Sequence, residues 1–144
     1  MGRIVVGIDG SEASDAALGW ALDQARRTGD EVQVVHVWHY PEIAELLTAN
    51  PFELQHDELQ AEAAEQLRRA VDRVGVPPDV RIDPVLAMGR AAEVLLRSAA
   101  DAELLVVGSR GRGGFAGLLL GSVSHHCVQH APCPVVVVPP AAGR

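Results

Sequence analysis

Short runs of consecutive apolar residues alternate along the chain with longer segments in which apolar positions recur every three or four residues. The first run, Arg3–Ile8 ("RIVVGI"), predicts a buried strand. Ala13, Ala16, Ala17, Trp20 and Ala21 follow at helical spacing and predict a helix with those residues on its core face. Ser11 suits the N-cap, Glu12 and Asp15 the positive helix start, Arg26 and Arg27 the negative end, and Gly29 the stop. Glu31–Val37 reads as a second strand, and Glu53–Val74 as a helix with Leu59, Ala63, Leu67, Ala70, Val71 and Val74 on one face. Asp79–Ala87 predicts a third strand, Arg90–Ala100 a helix, Ala102–Gly108 a fourth strand, Ser122–His130 a helix and Cys133–Pro140 a last strand. Neither a repeat nor a linker interrupts the series, so residues 1–144 are expected to form a single domain.

Strands that are apolar throughout and separated by helices imply a parallel sheet covered on both faces. Pro84 cannot donate to a ladder, which puts the third strand at an edge. Right-handed crossovers then favour an α/β fold with a doubly wound five-stranded parallel sheet, order 3-2-1-4-5, Rossmann-like in its layers.

Composition narrows the function. The net charge is −7, and the 12 basic residues are all arginine. An acidic chain with scattered arginines is a poor candidate for general nucleic-acid binding, which needs a basic face, so no nucleic-acid partner is expected. The start "MGRIVVGIDGSEAS" has no signal-peptide layout, and no apolar run approaches membrane-spanning length, so the expectation is a cytoplasmic protein without membrane contact. Cys127 and Cys133 give no disulfide framework.

In a doubly wound sheet, ligands bind at the carboxyl ends of the strands where the winding reverses, here between strands 1 and 4. "GSRGRGGFAGLLLGS" (Gly108–Ser122) emerges from strand 4 at that point. Gly108, Gly111, Gly113 and Gly114 would permit φ > 0 turns and close backbone approach, and consecutive N–H groups there would form an anion nest. Gly121, Ser122 and Val123 open a helix whose free N–H groups favour phosphate. Ser122 and Ser124 add hydroxyls, while Arg110 and Arg112 offset charge at the rim. A solvated glycine loop ahead of a capped helix is the competing reading. Asp9, ending strand 1, could accept from ribose hydroxyls or orient a metal-bound ligand, or simply cap the next helix. Val37 could offer backbone groups to a base edge, or be core.

Sharper motifs fail. A P-loop needs a lysine, and the chain has none. "GRGGFA" (Gly111–Ala116) fits a relaxed dinucleotide pattern, but not in the first βα turn, and no acid follows Glu103. A GxSxG elbow is absent. His125, His126, Cys127, His130 and Cys133 suggest zinc, but Val123, Cys127 and Ala131 trace an apolar helix face and leave His126 and His130 toward solvent; no metal site is expected.

Gly108-x-x-Gly111, nine residues, then Gly121-Ser122, with "IVVGIDGSEAS" at the start and "GSVSHHCVQHAPCPVVVVPP" at the end, resembles the universal stress protein family in its nucleotide-binding type. The resemblance spans the chain and implies ATP, with Mg2+ as a companion ion, held between strands 1 and 4. It implies that Asp9 and Val37 meet the ribose and adenine, with Gly7 giving close backbone approach. Gly108, Ser109, Arg110 and Gly111 would line the ribose and phosphates, and Gly121, Ser122 and Val123 would hold the phosphate end. Arg112, Gly113 and Gly114 fall in the motif's interior. Such proteins dimerise through the last strand. Pro134–Val138 agrees independently, being short, uncharged and at the other sheet edge, where a symmetry mate would cover it.

The function expected is an ATP-binding regulatory, stress-response module. An enzyme that hydrolyses ATP slowly is the rival, but beyond Asp9 only scattered serines and histidines offer themselves, and no catalytic residue is assigned. A nucleotide-free, chaperone-like dimer is the third reading.

Overall fold

The computed structural model describes residues 2–39, 52–111 and 120–140. In chain order the elements are β1 (Arg3–Ile8), α1 (Glu12–Thr28), β2 (Glu31–Trp38), α2 (Phe52–Val74), β3 (Ile82–Met88), α3 (Ala91–Ser98), β4 (Leu104–Gly108), α4 (Ser122–His130) and β5 (Val135–Val138). The five strands form one sheet in the order β3-β2-β1-β4-β5, and every pair is parallel.

Strand alternation divides the core between the two faces. Ile4, Val6, Val32, Val34 and Val106 point to one face and pack against Leu18, Ala21 and Leu22 of α1 and Leu67 and Ala70 of α2. Val5, Val35, Leu105 and Val107 point to the other, against Val94 and Leu95 of α3 and Cys127 of α4. The central strand β1 is therefore sealed on both sides, which its unbroken apolar sequence requires. Arg73 of α2 reaches Asp15 of α1 with two hydrogen bonds of 2.7 and 3.0 Å, tying the helices of one face together.

Helix α1 begins and ends as its sequence expects. Ser11 Oγ accepts from Ser14 N at 3.1 Å, and Gly29 takes φ 82° while its N–H donates to Ala25 O at 2.8 Å. Its inward face differs, however. Ala13, Ala17 and Ala21 are buried, but so are Ser14, Leu18, Leu22 and Ala25, while Trp20 is 37% exposed. The buried stripe is rotated toward the leucines, leaving the bulky indole at the margin of the interface.

Strand ends shorten where prolines and turns intervene. A turn closed by Val80 N donating to Pro77 O (3.1 Å) delays β3 to Ile82, although pairing begins where Val32 N donates to Arg81 O. Pro84 stands on this edge strand, opposite Val34. The last strand is likewise trimmed to Val135–Val138, though Pro134 O still accepts from Leu105 N.

Candidate functional site

After β1 the chain turns to α1 on one face; after β4 it turns to α4 on the other. The crossovers part between these neighbouring strands, and a cleft of about 320 Å³ opens at their carboxyl ends. Such a volume lies at the lower end of the range for small-molecule sites. Its floor is apolar, made by Val35, Val37 and Val107 from the sheet and by Ala91 and Leu95 of α3. Its rim is polar, with Asp9, Ser11, Ser14, Arg110 and Ser122.

Asp9 is held where β1 gives way to α1. Its Oδ1 accepts from Ser11 N at 2.9 Å across Gly10, whose φ of 85° makes the tight turn. Its backbone N–H donates to Ser14 Oγ at 3.2 Å, so the carboxylate is fixed by the first turn of α1. The other oxygen, Oδ2, lies against Gly111: a Cβ at that glycine would meet it at 2.5 Å. The two halves of the site, a hundred residues apart in sequence, are thus in contact.

Opposite stands the start of α4. Gly121 is its N-cap, extended at φ −70° and ψ 167°, and provides no side-chain cap bond. The first intrahelical bond is His125 N to Gly121 O at 2.9 Å. The N–H groups of Ser122, Val123 and Ser124 therefore precede any helical acceptor, and all three residues line the cleft. The array is suited to an anion, with the helix dipole adding to it.

Ser109 ties the end of β4 to the edge strand and to the start of α4. Its N–H donates to Val138 O at 2.8 Å, and its carbonyl accepts from Gly121 N at 2.7 Å and from Ser124 Oγ at 3.0 Å. Ser124 Oγ also lies 3.0 Å from Gly121 O, so its single proton is shared between two carbonyls. That hydroxyl is spent on the protein, whereas Ser122 is exposed at the rim.

Of the residues singled out from sequence, Gly7, Asp9, Val37, Gly108, Arg110, Gly111, Gly121, Ser122 and Val123 line the cleft together. Ser109 is buried behind it. Arg112, Gly113 and Gly114 lie outside the described residues. The described glycines of the segment do a different job from the left-handed turns expected of them. Positive φ occurs at Gly10, Gly29, Gly75 and Gly89, and not at Gly108, Gly111 or Gly121. What these three provide is proximity. A Cβ at Gly108 would lie 2.8 Å from the backbone carbon of Ala13, and one at Gly121 would lie 3.3 Å from Arg110 Cα. Gly7 similarly admits Leu95, whose Cδ1 would be 2.8 Å from an added Cβ. Ala91 and Leu95 escape sequence reasoning, because the approach of α3 to the floor depends on tertiary packing. Ser14 was legible only as part of a helix.

Among the described residues no group of three or more His, Cys, Asp or Glu is placed to hold a metal, and no helix is long and apolar enough to cross a membrane. Cys127, on the inward face of α4, is fully buried, and burial pushes its thiol up to about 11 from an ordinary 9.0. Burial also raises the half-buried Cys133, partly offset by a backbone hydrogen bond from Leu105. A thiol whose folded pKa is raised stabilises the fold below the unfolded pKa, and that contribution is lost as pH climbs through the folded one. Native Cys127 should therefore resist a thiol reagent at pH 8 and react on unfolding, with stability falling between pH 9 and about 11. Reagent titration with and without denaturant, and melting curves across that range, check both.

Residues 1–139 match the profile of the Universal stress protein family. A universal stress protein of Mycobacterium tuberculosis strain H37Rv is 41% identical over 134 residues, covering 93% of this chain and 44% of the relative. One from Mycolicibacterium smegmatis is 41% identical over 138 residues, covering 95% and 45%. The chain thus spans less than half the length of these curated relatives. Among solved structures, universal stress protein UspA from Lactobacillus plantarum superposes with a TM-score of 0.78 at 22% identity, covering 95% of this chain and 97% of that one. A universal stress protein in complex with cAMP has a TM-score of 0.62 at 25% identity, covering 97% and 98%. A third, from Archaeoglobus fulgidus in complex with dAMP, has a TM-score of 0.58 at 21% identity, covering 96% and 98%. With this match in sequence over nearly its whole length, the chain belongs to the universal stress protein family.

Proposed function

We propose that the cleft binds ATP and that residues 1–144 act as one nucleotide-dependent regulatory domain in the stress response. The observation that carries this reading is the pairing of two ends. A carboxylate suited to ribose hydroxyls stands at β1, and an uncapped helix start suited to phosphate stands across from it at α4. The apolar floor between them suits a flat base, with Val37 beneath it. The cAMP and dAMP complexes of related folds support an adenine nucleotide. A longer phosphate chain is the extension that would reach from the ribose end to Ser122 and Val123.

Asp9 is the carboxylate among the described lining residues, and with Asp9 at the ribose a Mg2+ ion would be held by phosphate oxygens and water beside Ser122. Asp9 Oδ1 is already engaged by Ser11 N, and hydrolysis would need a further group to orient water. Binding, with signalling through the bound state, is the better use of this site. The outer edge of β5 is a row of valines without charge, and a second copy of the chain is the partner that would cover it. We place such a dimer in the cytoplasm.

The test is direct. Protein purified without added nucleotide and then denatured should release ATP, and calorimetric titration should rank ATP above ADP and AMP. Release of AMP or cAMP in its place would remove the triphosphate from the proposal. No released adenine nucleotide and no binding at millimolar ATP would sink it.

A further inference from the structure

Outside the cleft, the last two turns of α4 carry His126 and His130, one helical turn apart and both exposed. Their rings are in contact, with centroids 4.6 Å apart and planes inclined by 45°. That spacing has a chemical meaning. A metal ion bonded at ~2.0–2.1 Å to one nitrogen of each imidazole, at an angle between square and tetrahedral, holds the ring centroids roughly 4.5–5 Å apart. The two rings are already at that separation, with their heads in solvent.

We propose that His126 and His130 form a two-imidazole chelate for a divalent transition-metal ion of the zinc, nickel or copper class, water completing its coordination. Imidazole pairs suit these ions rather than magnesium or calcium, which take oxygen. The position favours a cation: the pair stands at the carboxyl end of α4, the negative end of its dipole. Rigidity supplies the rest: once one imidazole has bound, the helix presents the second at high effective concentration.

This site differs from the zinc centre that the Cys–His spacing first suggests. Cys127 faces the core and His125 lies about 100° around the helix from His126, so neither joins it. It is also separate from the phosphate-facing start of α4, since the midpoint of the pair lies six residues on, roughly 9 Å along the axis. The inference stands whether or not the cleft holds nucleotide.

Titration of NiCl2 into the untagged chain by calorimetry tests the proposal, nickel being chosen because it does not oxidise the thiols. One ion per chain should bind, with a Kd in the micromolar range. His126→Ala and His130→Ala should each weaken it by about tenfold or more. His125→Ala should leave it unchanged. Because nickel is paramagnetic, the ring protons of His126 and His130 in the unaltered chain should broaden before those of His39 and His56, a readout that needs no variant. Absence of saturable binding, binding retained in the double variant, an equal loss in His125→Ala, or first broadening at His39 or His56 would each overturn it.

Discussion

Gly108→Ala should destabilise the whole fold by about 3 kcal/mol and lower the melting temperature by roughly 10 °C, before any question of ligand arises. The added methyl would stand 2.8 Å from Ala13 C, 2.9 Å from Ala13 Cβ and 2.9 Å from Ser14 N. Two of these are backbone atoms in the first turn of α1, and that turn is locked by the Ser11 cap and by Ser14 Oγ bonding Ser11 O. They cannot swing aside as a side-chain tip would. Relief requires α1 to lift from the sheet, where Ala17, Leu18 and Ala21 are fully or almost fully buried, or β4 to part from β1. Denaturant melts of the two proteins decide the matter. An unchanged midpoint would mean that α1 does not pack against Gly108 as closely as described.

Gly111→Ala should do the reverse, leaving stability within about 0.5 kcal/mol, as expected of an exposed position, while weakening ATP binding by about tenfold or more. Gly111 is exposed and its φ is not in the left-handed region, so alanine meets no backbone strain. The new Cβ instead meets Asp9 Oδ2 at 2.5 Å and must displace the carboxylate from its place on the rim. Asp9 can turn without disturbing the core, but not while keeping both its bond from Ser11 N and its orientation toward the cleft. Calorimetry on both variants separates the two glycines. Full affinity in Gly111→Ala would detach Asp9 from the nucleotide proposal. A cold-folded Gly108→Ala that still binds ATP would place that glycine's role in packing.

The contrast shows what a sequence can and cannot disclose. Gly108 and Gly111 sit in one motif and look alike on paper, yet one makes room for a helix and the other for a carboxylate. Spacing records that a side chain is excluded; only the neighbour reveals why. The sheet order was legible because it follows from period, handedness and Pro84 at an edge. The caps of α1 were legible because Ser11 and Gly29 act within a few residues of themselves. The inward stripe of α1 was less so, since a run containing Ala, Leu and Trp offers several overlapping apolar faces and tertiary packing selects among them. Leu95 was out of reach for a stronger reason. Nothing local in α3 states that its first two turns close the floor of a cleft between β1 and β4.

Ser109 gives the glycine segment a property of its own. One residue meets β5 through its N–H and gathers Gly121 and Ser124 through its carbonyl, so departure from the sheet and entry to α4 are stapled at a single point. The end of β4, the edge strand and the helix start thus meet at one residue, so a shift of β5 at Val138 would be carried to the anion-facing amides of Ser122 and Val123 through Ser109.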